Sequence, residues 1–163
     1  MVIQNTMRCT MLRILLVVVA HVVLASPSPA SAALGGDETT VPTDQARMKG
    51  TLRSTSTKAY RVHEIKAQTG TVVREYVSPN GKIFAVVWQG PFLPDLHQLL
   101  GSYFEQFSKS AKKLKGKHPR VRGPRLIQEP GLVVQTGGHM RAYFGRAHIP
   151  ELVPQGVNIE EIQ

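Results

Sequence analysis

Eight basic side chains and no acid fall between Ser108 and Arg125: Lys109, Lys112, Lys113, Lys115, Lys117, Arg120, Arg122 and Arg125. Ammonium and guanidinium groups at this density attract phosphate and carboxylate, arginine often through two parallel hydrogen bonds. The attraction is screened over roughly 8 Å at physiological ionic strength. Lys112, Lys113, Lys115, Lys117, Arg120, Arg122 and Arg125 are therefore the candidate anion-binding residues. The plainer use of such a run is a solvated linker that keeps the chain soluble.

The other side chains capable of chemistry are scattered. His139 and His148 are nine residues apart, an odd number, which on one continuous strand would turn them to opposite faces. His63 and His97 belong to different elements, and the cations around His118 oppose metal binding, so no metal site is assigned. No Gly-x-Ser-x-Gly elbow occurs, and Ser102 falls on the polar side of a helix with no base implied. Glu75 and Asp95 are the carboxylates that could pair for acid–base work. Arg74 and Arg141 are candidate salt partners for Glu75, however, and Asp95 suits a helix cap. Trp88 ends an apolar run and is expected in the core or at the sheet rim. No catalytic, cofactor-binding or metal-binding residue is assigned, and an enzyme is not expected.

The N-terminus reads as a cleavable signal peptide over residues 1–32. Arg8 and Arg13 precede an apolar stretch from Ile14 to Ala25, and no acid occurs among the first 36 residues. Ser26-Pro27-Ser28-Pro29 breaks the helix, and Ala30-Ser31-Ala32 supplies the small side chains of a cleavage site. The apolar stretch falls short of the ~20 residues a membrane span needs. Cys9, the one cysteine, leaves with this segment, so disulfides, thiolate metal sites and cysteine nucleophiles are excluded from the mature chain. Cleavage removes two of the 20 basic residues and none of the 11 acids. A periplasmic or secreted basic protein meets anionic envelope components, or another envelope protein, before it meets nucleic acid.

The elements that would carry these groups follow from periodicity. Residues 33–57, poor in large apolar groups, read as a flexible segment with one short helix near Asp44 to Lys49, capped by Thr43. Residues 58–163 read as a single domain with a basic loop at 109–125. Its first strand alternates from Tyr60 to Ile65, a second runs from Thr71 to Val77, and Ser78-Pro79-Asn80-Gly81 makes a turn. Ile83-Phe84-Ala85-Val86-Val87-Trp88 has no polar relief, which argues for a strand covered on both faces. Pro94-Asp95 opens a helix whose stripe is Leu96, Leu99, Leu100, Tyr103, Phe104 and Phe107, with Gly101 costing about 1 kcal/mol in its middle. Residues 131–136 and 139–144 read as a hairpin turning on Gly137-Gly138, and 146–163 as an irregular strap anchored by Ile149, Leu152 and Val157. The order β-β-β-α-β-β predicts an α+β fold: an antiparallel sheet of about five strands with one amphipathic helix packed on it.

Several of these segments resemble one family. Thr71-Val72-Val73-Arg74-Glu75-Tyr76-Val77-Ser78-Pro79, Phe84-Ala85-Val86-Val87-Trp88-Gln89-Gly90-Pro91, Leu93-Pro94-Asp95-Leu96, Leu99-Leu100-Gly101-Ser102-Tyr103-Phe104 and Gly137-Gly138-His139-Met140-Arg141-Ala142 occur in that order. Together with the Ala32-Ala33-Leu34-Gly35-Gly36 junction they are similar to the bacterial exported proteins catalogued as domain of unknown function 2844. The resemblance implies a small exported protein with no assigned activity and no catalytic residues to carry over. The basic run lies outside the matching motifs. The expectation is a non-enzymatic exported module that binds an envelope component. Alternatives are a small hydrolase or transferase with a site assembled across strands, and a structural subunit of an envelope assembly.

Overall fold

The computed structural model describes residues 34–117 and 124–162, with side chains placed for 34–114 and 124–162. The expected signal peptide, Arg120 and Arg122, and the side chains of Lys115 and Lys117 lie outside these described residues.

β1 (Thr51–Ser56), β2 (Arg61–Lys66), β3 (Val72–Val77), β4 (Ile83–Gly90), β5 (Arg125–Glu129), β6 (Leu132–His139) and β7 (Ala142–His148) form one sheet in the order β1-β2-β3-β4-β7-β6-β5. Every pairing is antiparallel. Three α-helices, α1 (Val41–Arg47), α2 (Leu96–Leu100) and α3 (Phe104–Lys117), and short 3-10 turns accompany the sheet among the described residues. Among the described residues the fold is thus mostly β with seven strands, which corrects the expectation of an α+β domain with about five strands and one helix packed on the sheet.

Each discrepancy has a local cause. β1 was hidden inside the segment read as flexible, because an edge strand with one large apolar residue, Leu52, carries no period-two signal. β5 was hidden behind the basic run. Its hairpin to β6 turns on Pro130-Gly131, with Gly131 at φ 71°, and a Pro-Gly pair of that kind is itself a turn signal. The β6–β7 hairpin turns on Met140-Arg141, not on the two glycines. Arg141 takes the left-handed φ of 64°, while Gly137 and Gly138 remain in the β6–β7 ladder. The helix expected to open at Pro94-Asp95 is two: Gly101, at φ 50°, ends α2 and a short 3-10 turn leads into α3.

β4 lies at the centre, and Ile83 to Trp88 are all buried. One face of the sheet packs on the helices. Val73, Val86, Trp88, Val134 and Ala147 meet Leu34, Val41, Leu99, Leu100 and Phe107 there. Gly145 on β7 leaves the space the Trp88 ring occupies, since a side chain there would collide with it. The second face is covered only in part, where the C-terminal strap lays Val153, Val157, Ile159 and Ile162 over Tyr60, Tyr76, Phe84 and Val87. Beyond the strap, register sets cross-strand rows on that face. One runs Val87, Arg146, Gln135, Leu126; the next runs Ala85, His148, Val133, Gln128; a third runs Gln89, Phe144, Gly137.

Candidate functional site

The basic run divides between a helix and a strand. α3 continues past the predicted stripe because Phe104, Phe107, Ala111 and Leu114 repeat at three- and four-residue spacings and pack against the helix-side core. Ser110 Oγ donates to Glu129 Oε1 and Gln106 Nε2 donates to the Pro130 carbonyl at 3.1 Å, which pins α3 to the β5–β6 hairpin. With that side committed, Lys109, Lys112 and Lys113 project into solvent on the opposite side. The Lys109 ammonium stands 4.0 Å from Glu105, one helical turn earlier, and both side chains are largely exposed. Such a pair contributes well under 1 kcal/mol. Lys112 and Lys113 make no ion pair among the described residues. Arg125 opens β5, half-buried. The structure therefore brings Lys109, Lys112 and Lys113 together on one helix face and sets Arg125 on a separate element.

The carboxylate pairing differs from the one the sequence suggested. Asp95 caps α2, accepting from the amides of His97 at 2.9 Å and Gln98 at 3.3 Å. Arg74 pairs with Glu64 at 2.7 Å, not with Glu75. Glu75 is wholly buried, as is Asp44 of α1, and the two carboxyl groups meet. Gln98 Nε2 donates to Asp44 Oδ1 at 2.5 Å. Neither Glu75 oxygen receives a protein donor among the described residues, and two ionised carboxylates cannot share a dry site, so Glu75 retains its proton and donates to Asp44. Burial, then the Asp44 charge, pushes Glu75 up to about 9. Burial also raises Asp44, against the opposing hydrogen bond from Gln98. A cavity of about 320 Å³ between Met48, Val73, Phe92 and Leu93 has Gln98 in its wall. The dyad itself is closed to solvent and ties α1, α2 and β3 together. Nothing in the sequence pattern joined Asp44 to Glu75.

A second polar cluster was also invisible in the sequence. Ser54 Oγ lies 2.7 Å from His63 Nδ1, and His63 Nε2 lies 2.8 Å from Glu38 Oε1. Register explains the first contact, because Ser54 and His63 are cross-strand partners in β1 and β2. The order hydroxyl, imidazole, carboxylate is that of a nucleophile relay. Here, though, Arg61 grips the same Glu38 carboxylate through Nε at 2.8 Å and through a second hydrogen bond. Arg61 first, then His63, holds the Glu38 carboxyl below the usual range. The geometry is that of a latch joining the Glu38–Thr40 turn to β2.

Among the described residues, no three His, Cys, Asp or Glu side chains converge as metal ligands. His97 packs edge-on against Phe104 with ring centroids 5.0 Å apart, and Trp88 is fully buried in the core. No described helix is long and apolar enough to cross a membrane.

These features define a mostly-β domain: one seven-stranded antiparallel sheet, closed on its helical face, half open on the other and carrying a basic helix at its β5 edge. Residues 30–162 match the family model described as "Protein of unknown function (DUF2844)", and the chain belongs to that family. No curated protein and no solved structure matches the chain.

Proposed function

We propose that the protein is an exported, non-enzymatic binding module that engages a phosphate- or carboxylate-bearing component of the cell envelope through the outer face of α3. The observation that supports this is the division of the helix. Phe104, Phe107, Ala111 and Leu114 are spent on packing, which leaves Lys109, Lys112 and Lys113 pointing outward from a fixed support. A lysine near an anionic surface contributes about 1 kcal/mol, so three together shift affinity roughly hundredfold. The signal-like pattern of residues 1–32 supports an encounter outside the cytoplasm, in the periplasm or beyond.

The test is binding of the purified protein to lipopolysaccharide, heparin and anionic phospholipid vesicles at low and high salt, beside the Lys109→Gln, Lys112→Gln, Lys113→Gln triple variant. Salt-sensitive binding that the variant loses supports the proposal. Binding to none of the three, or binding the variant keeps in full, reduces this face to a solubilising surface.

A further inference from the structure

The strap-side face presents a second surface with different chemistry. Two adjoining cavities, of about 410 and 490 Å³, run along it and share Gln135, Arg146 and Glu160 in their walls. Their floor is the set of cross-strand rows created by the β4–β7–β6–β5 register, and their rim is the Asn158–Ile162 part of the strap. On Phe144's row the neighbouring position is Gly137. A Cβ there would approach the Phe144 ring to 2.8 Å. The missing side chain thus lets the ring lie over the sheet, and Phe144 remains 41% exposed. The result is an aromatic platform beside the polar side chains of Gln89, Gln135 and Arg146.

Charge in this groove is already compensated. Arg146 donates to Glu160 Oε2 at 2.6 Å and to the Ile159 carbonyl at 3.0 Å. His148 is desolvated, which lowers its pKa and favours the neutral ring. The groove therefore differs from α3, where Lys112 and Lys113 make no ion pair among the described residues. An anion finds no free cation to meet, and an apolar chain would strand the amides of Gln128 and Gln135. A ligand with many hydroxyls fits both constraints: hydroxyls donate and accept, as the amides do, and the C–H face of a sugar ring stacks on an aromatic platform.

We propose that the groove over β5, β6 and β7 binds a neutral, linear polysaccharide, with Phe144 as the stacking platform and Gln128, Gln135 and Arg146 as the hydroxyl-reading side chains. The site lies on different elements from α3 and stands independently of the anion-binding reading.

The experiment is calorimetric titration of the purified protein with cellohexaose, maltohexaose and chitohexaose, with amide chemical-shift mapping of the unmodified protein. Saturable binding of one of these, with shifts centred on β6 and β7 and no salt dependence, is the expected result. Gln135→Ala should weaken it up to about tenfold, the loss of one neutral hydrogen bond, and Phe144→Ala should weaken it further. The α3 triple variant should bind as before. Binding of none of the three, shifts centred on the helical face, or full affinity in both Gln135→Ala and Phe144→Ala would overturn the proposal. If either variant fails to fold, the shift map on the unmodified protein still decides.

Discussion

The two faces of the sheet share strands but treat polar groups in opposite ways. The helical face is closed, and its buried acids, Asp44 and Glu75, had to solve their own solvation by sharing a proton under the hydrogen bond from Gln98. The strap-side face is half open, and its polar side chains stay within reach of solvent while Arg146 and Glu160 neutralise each other. Closure turns a polar group into a stability problem, whereas openness keeps it available to a ligand. Substitutions on the first face should register mainly as stability, and on the second mainly as binding.

The largest effect is expected at the centre of the closed face. Trp88 is fully buried on β4 beneath Gly145, and Trp88→Ala should cost about 3–5 kcal/mol. A urea midpoint little changed by this substitution would mean that the helical face is not packed as described.

The dyad comes next. Glu75 ordinarily titrates near 4.5 and is raised to about 9 in the fold. Between those values the native chain keeps a proton that the unfolded chain has released. Stability from this group is therefore greatest below the ordinary value and falls as pH rises through the window, by at most about 1.4 kcal/mol per unit. Glu75→Gln keeps the donor, removes the ionisation and should flatten that slope. Urea midpoints taken from mildly acidic to alkaline pH check it, and an unchanged slope in the variant removes the dyad from consideration.

Glu38 should show the opposite sign. Its carboxyl is held low by Arg61 and His63, so its contribution is present above the ordinary glutamate range and is lost as pH falls through the lowered value. Glu38→Gln should cost about 1 kcal/mol at neutral pH and reduce acid sensitivity, read as thermal midpoints in acid and neutral buffers. Equal losses at all pH values would leave the latch without its charge.

The smallest stability effect is expected on the open face. Leu126 is 54% exposed on the edge strand β5, and Leu126→Ala should change stability by no more than about 0.5 kcal/mol. A loss comparable to that of a core residue would show that this face is covered in solution.

Legibility in the sequence followed burial. The six-residue apolar run from Ile83 to Trp88 could only be a strand enclosed on both sides, and it occupies the middle of the sheet. Asp95 announced its cap through position alone, next to Pro94 and before an apolar stripe. β1 could not be read, because Thr51–Ser56 acquires its strand identity from β2 alongside it and not from an inward-facing pattern. The candidate sites divide in the same way. Lys109, Lys112 and Lys113 stood out as a run, but their common outward face needed α3 to extend as a helix past Phe107. The groove residues come from β4, β5, β6 and β7, and a row across four strands has no trace in linear order.

What the sequence determined by itself was local: the enclosed central strand, the Ser78–Gly81 turn, the Asp95 cap, the basic run and the family. These follow from short-range sterics and from the hydrophobic period of one element at a time. The tertiary structure alone decided the number and order of strands, the meeting of Asp44 with Glu75 across 31 positions, the Glu38 latch and the open polar face. Each of these depends on which elements become neighbours, and that choice is made by burying apolar surface of the whole chain at once.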